Sequence, residues 1–151
     1  MDKTLFIILG PTAIGKTSIS IEAATLLNTE IISADSRQIF RELLVGTAVP
    51  DSQQLNIVKH HMIQNHSIHE YFSASNFEAE ALTILSSIFE KNDFAIMTGG
   101  SMLYIDALCN GIDDLPTIDT TIRKNIIERF ERDGLEPLRF ELKKIDPEYY
   151  E

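Results

Sequence analysis

Gly10-Pro11-Thr12-Ala13-Ile14-Gly15-Lys16-Thr17 fills every required position of the pattern G-x-x-x-x-G-K-[ST]. The flanks fit it. Leu5-Phe6-Ile7-Ile8-Leu9 leads in as an apolar strand, and a helical pattern from Ser18 to Leu27 leads out. Strand, glycine-bearing loop and helix in this order make a phosphate-cradling P-loop. Glycines let the backbone curl so that successive N–H groups face one point, and the helix N-terminus adds partial positive charge there. Lys16 supplies a mobile cation for a terminal phosphate, and the Thr17 hydroxyl is placed to ligate Mg²⁺. All eight residues, Gly10 to Thr17, are therefore read as the diphosphate- or nucleotide-binding segment.

Outward from this segment the first half of the chain alternates strands and helices. Thr4–Leu9 is the first strand, and Glu30-Ile31-Ile32-Ser33-Ala34 is a second, short and apolar, ending on Asp35. Ser36–Phe40 reads as a helical turn and Gly46–Pro50 as a loop. Lys59–Ile63 is ambiguous, with a short strand suggested by Met62 and Ile63. Ser75 with Glu78 has capping-box spacing. Phe77, Ala81, Leu82, Leu85, Ile88 and Phe89 then follow at helical intervals to about Lys91. Phe94–Met97 is another buried strand, closed by Gly99-Gly100, and Ser101–Cys109 is a helix. Strands that are continuously apolar rather than alternating belong to a parallel sheet covered on both faces. The fold class is α/β, a P-loop NTPase-like sheet. Ligands then sit at the carboxyl ends of the strands, where the P-loop, Asp35 and the Gly99-Gly100-Ser101 turn converge.

After Gly111 the texture changes. Asp113-Asp114-Leu115-Pro116 reads as a linker. Asp119 caps a helix through Ile122, Ile126, Ile127 and Phe130 to Gly134, and Pro137 opens another to about Lys144. Residues 1–111 are assigned to the α/β core and 112–151 to a helical appendage.

Composition bounds the possibilities. With 44% hydrophobic and 24% charged residues, 151 residues suit a folded rather than a disordered chain. The net charge of −10, from 13 basic and 23 acidic residues, is awkward for nucleic-acid binding, which favours a basic surface. One cysteine, Cys109, forms no internal disulfide and fits a reducing compartment. Met1-Asp2-Lys3 leads directly into a strand, without a signal peptide, and no apolar run reaches membrane-spanning length. A cytoplasmic monomer without membrane association is the expectation.

The strand Phe94–Met97 runs into Thr98-Gly99-Gly100 and lacks the carboxylate that nucleotide hydrolases use to hold Mg²⁺. Asp35 is the strand-end carboxylate. It either caps the next turn or removes a proton from a nucleophile, and the second reading is favoured by its crevice position opposite the P-loop. His60-His61 is tempting as a metal pair, but adjacent strand residues point to opposite faces. Both are read as structural or supporting, and Phe77 and Tyr104 as core.

Together these stretches resemble the tRNA dimethylallyltransferase (tRNA isopentenyltransferase) family. The resemblance rests on the P-loop, on Ser33-Ala34-Asp35-Ser36-Arg37-Gln38-Ile39-Phe40, on Gly46-Thr47-Ala48-Val49-Pro50 and on His60-His61-Met62-Ile63. Tyr71-Phe72-Ser73-Ala74-Ser75-Asn76-Phe77 and Gly99-Gly100-Ser101-Met102-Leu103-Tyr104 complete it. Asp-Ser-Arg-Gln together with Gly-Gly-x-x-Leu-Tyr is its specific part. The family usually has Thr-Gly where this chain has Ser101-Met102. Serine keeps the hydroxyl, whereas Met102 either narrows the site or means that a close backbone approach is not needed here.

The resemblance implies transfer of a dimethylallyl group from dimethylallyl diphosphate to N6 of an adenosine beside the anticodon of tRNA. It implies that the P-loop, with Mg²⁺, grips the diphosphate. Asp35 is then the base, with Lys16, Thr17 and Ser101 as further catalytic groups. Asp35, Ser36, Arg37, Gln38, Ser101 and Arg123 meet the tRNA. Three alternatives stay open: the same chemistry on a free adenine nucleotide, a small-molecule kinase using ATP, and a phosphate-binding fragment that catalyses nothing.

Overall fold

The computed structural model describes residues 2–112 and 118–151. The linker read at Asp113–Pro116 lies outside the described residues. One compact unit ends at Ile112, and a second takes in the last three helices.

The first unit holds β1 (Thr4–Leu9), α1 (Lys16–Leu27), β2 (Ile31–Ala34), α2 (Ser52–Ile57), β3 (His60–His61), α3 (Ala74–Phe89), β4 (Phe94–Gly99) and α4 (Met102–Asn110). The four strands form one parallel sheet in the order β1-β4-β2-β3. Alternation along each strand sends side chains to opposite faces, and both faces are covered. On one face Ile31, Ile96 and Val58 pack against Ile21 and Ala24 of α1. On the other, Ile32, Ala34, Ala95 and Met97 meet Phe77, Ala81 and Ile88 of α3 and Tyr104, Ile105 and Leu108 of α4. Phe77 and Tyr104 stack with ring centroids 4.3 Å apart, so both are core. This is the parallel α/β architecture expected. β1 lies at the sheet edge, and Phe6 is 44% exposed there.

Several local readings need correction. α3 starts two residues earlier than its spacing predicted. Ser73, not Ser75, is the cap, with Asn76 rather than Glu78 closing the box. Asn76 Oδ1 accepts from the Ser73 N–H at 3.0 Å and Ser73 Oγ accepts from the Asn76 N–H at 3.3 Å, so the shorter amide does the work usual for Glu or Gln. Leu82 lies at the edge of the apolar stripe and is exposed. α2 was not foreseen. It buries no residue, so it has no apolar period to read. Its signal was Asp51-x-x-Gln54, a capping box directly after Pro50.

β4 runs two residues past Met97. The ladder continues through Thr98, opposite Ile8 and Ser33, and Gly99, opposite Leu9 and Ala34. Gly99 allows this, because a Cβ there would sit 2.1 Å from the Ala34 carbonyl oxygen. Gly99→Ala must push β2 and β4 apart. Its expected cost is about 1–3 kcal/mol, read as a lower urea midpoint at unchanged slope.

The second unit comprises α5 (Thr120–Asp133), α6 (Glu136–Ile145) and α7 (Pro147–Tyr150). As predicted, Asp119 caps α5, accepting from the Thr121 N–H at 2.8 Å, and Pro137 sits in the first turn of α6. Among the described residues no helix is long and apolar enough to cross a membrane.

Candidate active site

The P-loop runs from β1 into α1, and its backbone has the twists that its glycines predicted. φ is +154° at Gly10 and +97° at Gly15. No heavy atom lies within 4 Å of a Cβ built on Gly15, so Gly15 is there for its left-handed backbone rather than for space. Ala13 also has positive φ, +67°, an uncommon setting for a residue with a Cβ. α1 begins at Lys16, directly at the loop, so its unpaired N–H groups face the cradle. Lys16 Nζ donates to the Pro11 carbonyl at 2.8 Å, folded back across the loop it serves.

Beside the loop lies a pocket of about 230 Å³. The P-loop contributes Thr12, Ala13, Gly15, Lys16 and Thr17, and β2 with its following turn contributes Ser33, Asp35 and Gln38. Ala48 and Pro50 come from the loop before α2, His60 and Ile63 from β3 and just beyond it, and Thr98 and Gly99 from β4. The volume is below the roughly 300–1,000 Å³ of sites that engulf a drug-sized ligand. It suits a compact group. Asp35, Lys16 and Thr17 are thus brought to one pocket, as the convergence of strand ends predicted. Gly10, Pro11 and Ile14 shape the loop without lining the pocket. Ser36, Arg37 and Ser101 also stand outside its lining.

Asp35 is half-buried and performs the capping role weighed against catalysis. Its Oδ1 accepts from the N–H groups of Arg37 at 2.9 Å and Gln38 at 3.2 Å. Among the described residues no hydrogen bond reaches Oδ2, so Oδ1 serves the turn while Oδ2 is left for other chemistry in a residue that lines the pocket. Capping and catalysis are therefore compatible. Burial first, then the Asp35 charge, raises the Tyr104 phenol above its ordinary value, so the carboxylate field extends into the α4 side. The Gln38 side-chain amide donates to the carbonyls of Thr47 and Ala48 at 3.0 and 3.1 Å, tying the pocket to the loop before α2. Ser101 precedes α4, and its Oγ accepts from the Ser36 N–H at 2.8 Å while its own N–H donates to the Ala34 carbonyl at 3.0 Å. It couples the turns after β2 and β4. Met102 is exposed and does not line the pocket, so the narrowing is not seen. Arg123 lies on α5, in the second unit, and is exposed.

The histidine pair separates by face, as adjacent strand residues must. His61 Nε2 meets Glu30 Oε2 at 2.5 Å, and Lys59 Nζ lies 3.2 Å from the same oxygen. Burial pushes the Glu30 carboxyl up, but these two partners outweigh it and hold it below the usual range. That is a structural role. His60 instead lines the pocket, as does Thr98. Neither was singled out for the site from sequence. Thr98 was passed over because a carboxylate was sought there, and His60 because a histidine pair on one strand makes no chelate.

Comparison with known proteins decides the family. The family model described as IPP transferase matches residues 38–151. The chain belongs to the IPP transferase family. Its relatives in this family include the tRNA dimethylallyltransferase of Flavobacterium johnsoniae, 49% identical over 149 residues, covering 99% of this chain and 48% of the relative. A tRNA dimethylallyltransferase of Bacteroides fragilis is 43% identical over 148 residues, covering 98% and 49%. The chain spans about half the length of the curated relatives it matches. Among solved structures, the full-length tRNA isopentenylpyrophosphate transferase of Bacillus halodurans aligns with TM-score 0.71 and 32% identity over 99% of this chain and 50% of that one. A eukaryotic dimethylallyltransferase acting on tRNA aligns with TM-score 0.75 at 24% identity, over 99% of this chain and 37% of that one, a likeness of fold.

Proposed function

We propose that this chain binds dimethylallyl diphosphate in the P-loop pocket and directs its dimethylallyl group to N6 of an adenosine beside the anticodon of tRNA. The observation that carries the proposal is the meeting of Asp35 with Lys16 and Thr17 around one small pocket, in a chain of the IPP transferase family. The diphosphate lies against the loop N–H groups and the α1 terminus, with Lys16 swung from Pro11 onto it. N6 attacks C1 of the dimethylallyl group, the C1–O bond breaks, and diphosphate leaves with the bonding pair. Asp35 Oδ2 takes the proton from N6, which a weakly nucleophilic amine must shed. Positive groups fixed where charge grows on the leaving oxygen stabilise the transition state more than the ground state.

Mg²⁺ fits the residues present. The Thr17 hydroxyl is a hard oxygen donor, and the described residues hold no cluster of three or more His, Cys, Asp or Glu that would make a protein-only cage. That matches a cation held by few protein ligands and by substrate phosphates. Thr17 would hold it, and its chemistry there is to neutralise the departing diphosphate. The adenine is drawn from its stack. Ser36, Arg37, Gln38 and Ser101 meet the nucleotide, Arg123 touches the tRNA, and the setting is the cytoplasm.

Ligand-dependent melting tests this. A ligand that binds only the folded chain stabilises it by about 2.7 kcal/mol at 100 times its Kd. Dimethylallyl diphosphate with Mg²⁺ is expected to raise the melting temperature more than ATP with Mg²⁺. Stabilisation by ATP and not by the prenyl donor would make the pocket a kinase site instead.

A further inference from the structure

Two residues that line the pocket each carry a polar atom with no task in the reaction just described. His60 Nε2 and Thr98 Oγ1 are closed to solvent and have no hydrogen-bond partner among the described residues. Most buried polar atoms are paired, and leaving one unpaired is costly, so each exception asks for a reason. Their positions are related. His60 pairs in register with Ile31, Thr98 with Ser33 and Ile8, and these registers put both side chains on the α1 face of the sheet, below the P-loop. Both residues line the pocket that contains Lys16 and Thr17.

The chemistry of His60 is narrowed by its other nitrogen. Nδ1 lies 2.8 Å from the Val58 carbonyl, which can only accept, so Nδ1 carries the proton. Burial lowers the imidazole pKa, with the neighbouring His61 adding to this and the Val58 carbonyl opposing it. The neutral ring then offers a lone pair at Nε2. A lone pair needs a donor. Phosphate oxygens and a prenyl chain bring none, and Lys16 is committed to the diphosphate. Waters on a divalent cation do bring them, because Mg²⁺ keeps several of its waters when bound through phosphates. β4 is the strand next to the P-loop strand, where a metal-holding carboxylate was sought, and Thr98 stands there instead.

We propose that His60 and Thr98 are positioning residues for the metal's water shell, with His60 Nε2 and Thr98 Oγ1 accepting hydrogen bonds from waters on the divalent cation that accompanies the diphosphate. The proposal rests on the diphosphate-binding reading above. Both atoms are covered in the structure, so the contact needs the pocket lining over them to shift, with the bond from His60 Nδ1 to the Val58 carbonyl kept.

Calorimetric titration of the chain with inorganic diphosphate, in EDTA and in Mg²⁺, tests it. Thr98→Val keeps the shape and removes the hydroxyl. His60→Asn keeps a donor near Val58 and loses the acceptor at Nε2, whereas His60→Gln restores an acceptor at that reach. Thr98→Val and His60→Asn are each expected to leave the affinity in EDTA unchanged. They are expected to shrink the Mg²⁺-dependent gain by roughly 2- to 12-fold, the worth of one hydrogen bond. His60→Gln should recover most of it. An undiminished Mg²⁺ gain in both variants overturns the proposal. So does an equal loss in EDTA and in Mg²⁺, which would put these side chains on the phosphate itself. If the unsubstituted chain binds no diphosphate in either condition, the cradle reading fails and the proposal falls with it, a result distinct from the other two.

Discussion

Asp35→Asn is expected to lower prenyl-transfer turnover by about 10²–10⁴-fold while leaving the affinity for dimethylallyl diphosphate within about threefold. The substitution separates the two duties of the side chain. An Asn Oδ1 still accepts from the Arg37 and Gln38 N–H groups, so the turn after β2 is kept. The other atom becomes an NH₂, which cannot take a proton from N6. Donor binding depends on the P-loop, on the opposite side of the pocket, and is unaffected. The assay is single-turnover transfer to tRNA, made in a chain that carries the family's full length, with donor affinity measured separately by calorimetry. An unchanged rate removes Asp35 as the base. A parallel fall in affinity would assign it to donor binding instead.

Lys16→Ala carries the second large effect, on binding. A charge-assisted hydrogen bond to phosphate contributes about 1.5–3 kcal/mol, which corresponds to roughly 10- to 150-fold in the Kd for inorganic diphosphate. The folded chain loses little, because the Lys16 bond to the Pro11 carbonyl is exposed. The melting temperature without ligand should therefore stay near its original value while the diphosphate-induced rise shrinks. Equal binding by Lys16→Ala would undo the assignment of the cradle.

The P-loop was readable because its pattern fixes neighbouring positions at set spacings, so spacing and flanks alone identify it. The same holds for β2, whose four residues are all buried and which ends on Asp35. α2 escaped notice for the converse reason: an exposed helix has no apolar period, and its only mark is Asp51 with Gln54. The α3 start was misplaced because Ser73 and Ser75 are equivalent as letters, and only the extended backbone at Ser73 with Asn76 in reach separates them. His60 and Thr98 could not be assigned from sequence since their meaning lies in register. Only the pairing of β3 with β2, and of β4 with β1 and β2, puts an imidazole and a hydroxyl beneath one loop. Arg123 is legible only through the family likeness, being an exposed helical charge by every local measure.

The junction of β2 and β4 has a wider meaning. Gly99 presses against the Ala34 carbonyl, the Ser101 N–H is bonded to that same oxygen, and Ser101 Oγ holds the Ser36 N–H. β4 is in turn laddered to β1, from which the phosphate loop springs. The shelf that would receive the incoming nucleoside and the nest that would receive the departing anion thus share a single main-chain chassis. Any alignment of nucleoside and leaving group would then be set by backbone geometry and not by the side chain at the head of α4, where Met102 is exposed.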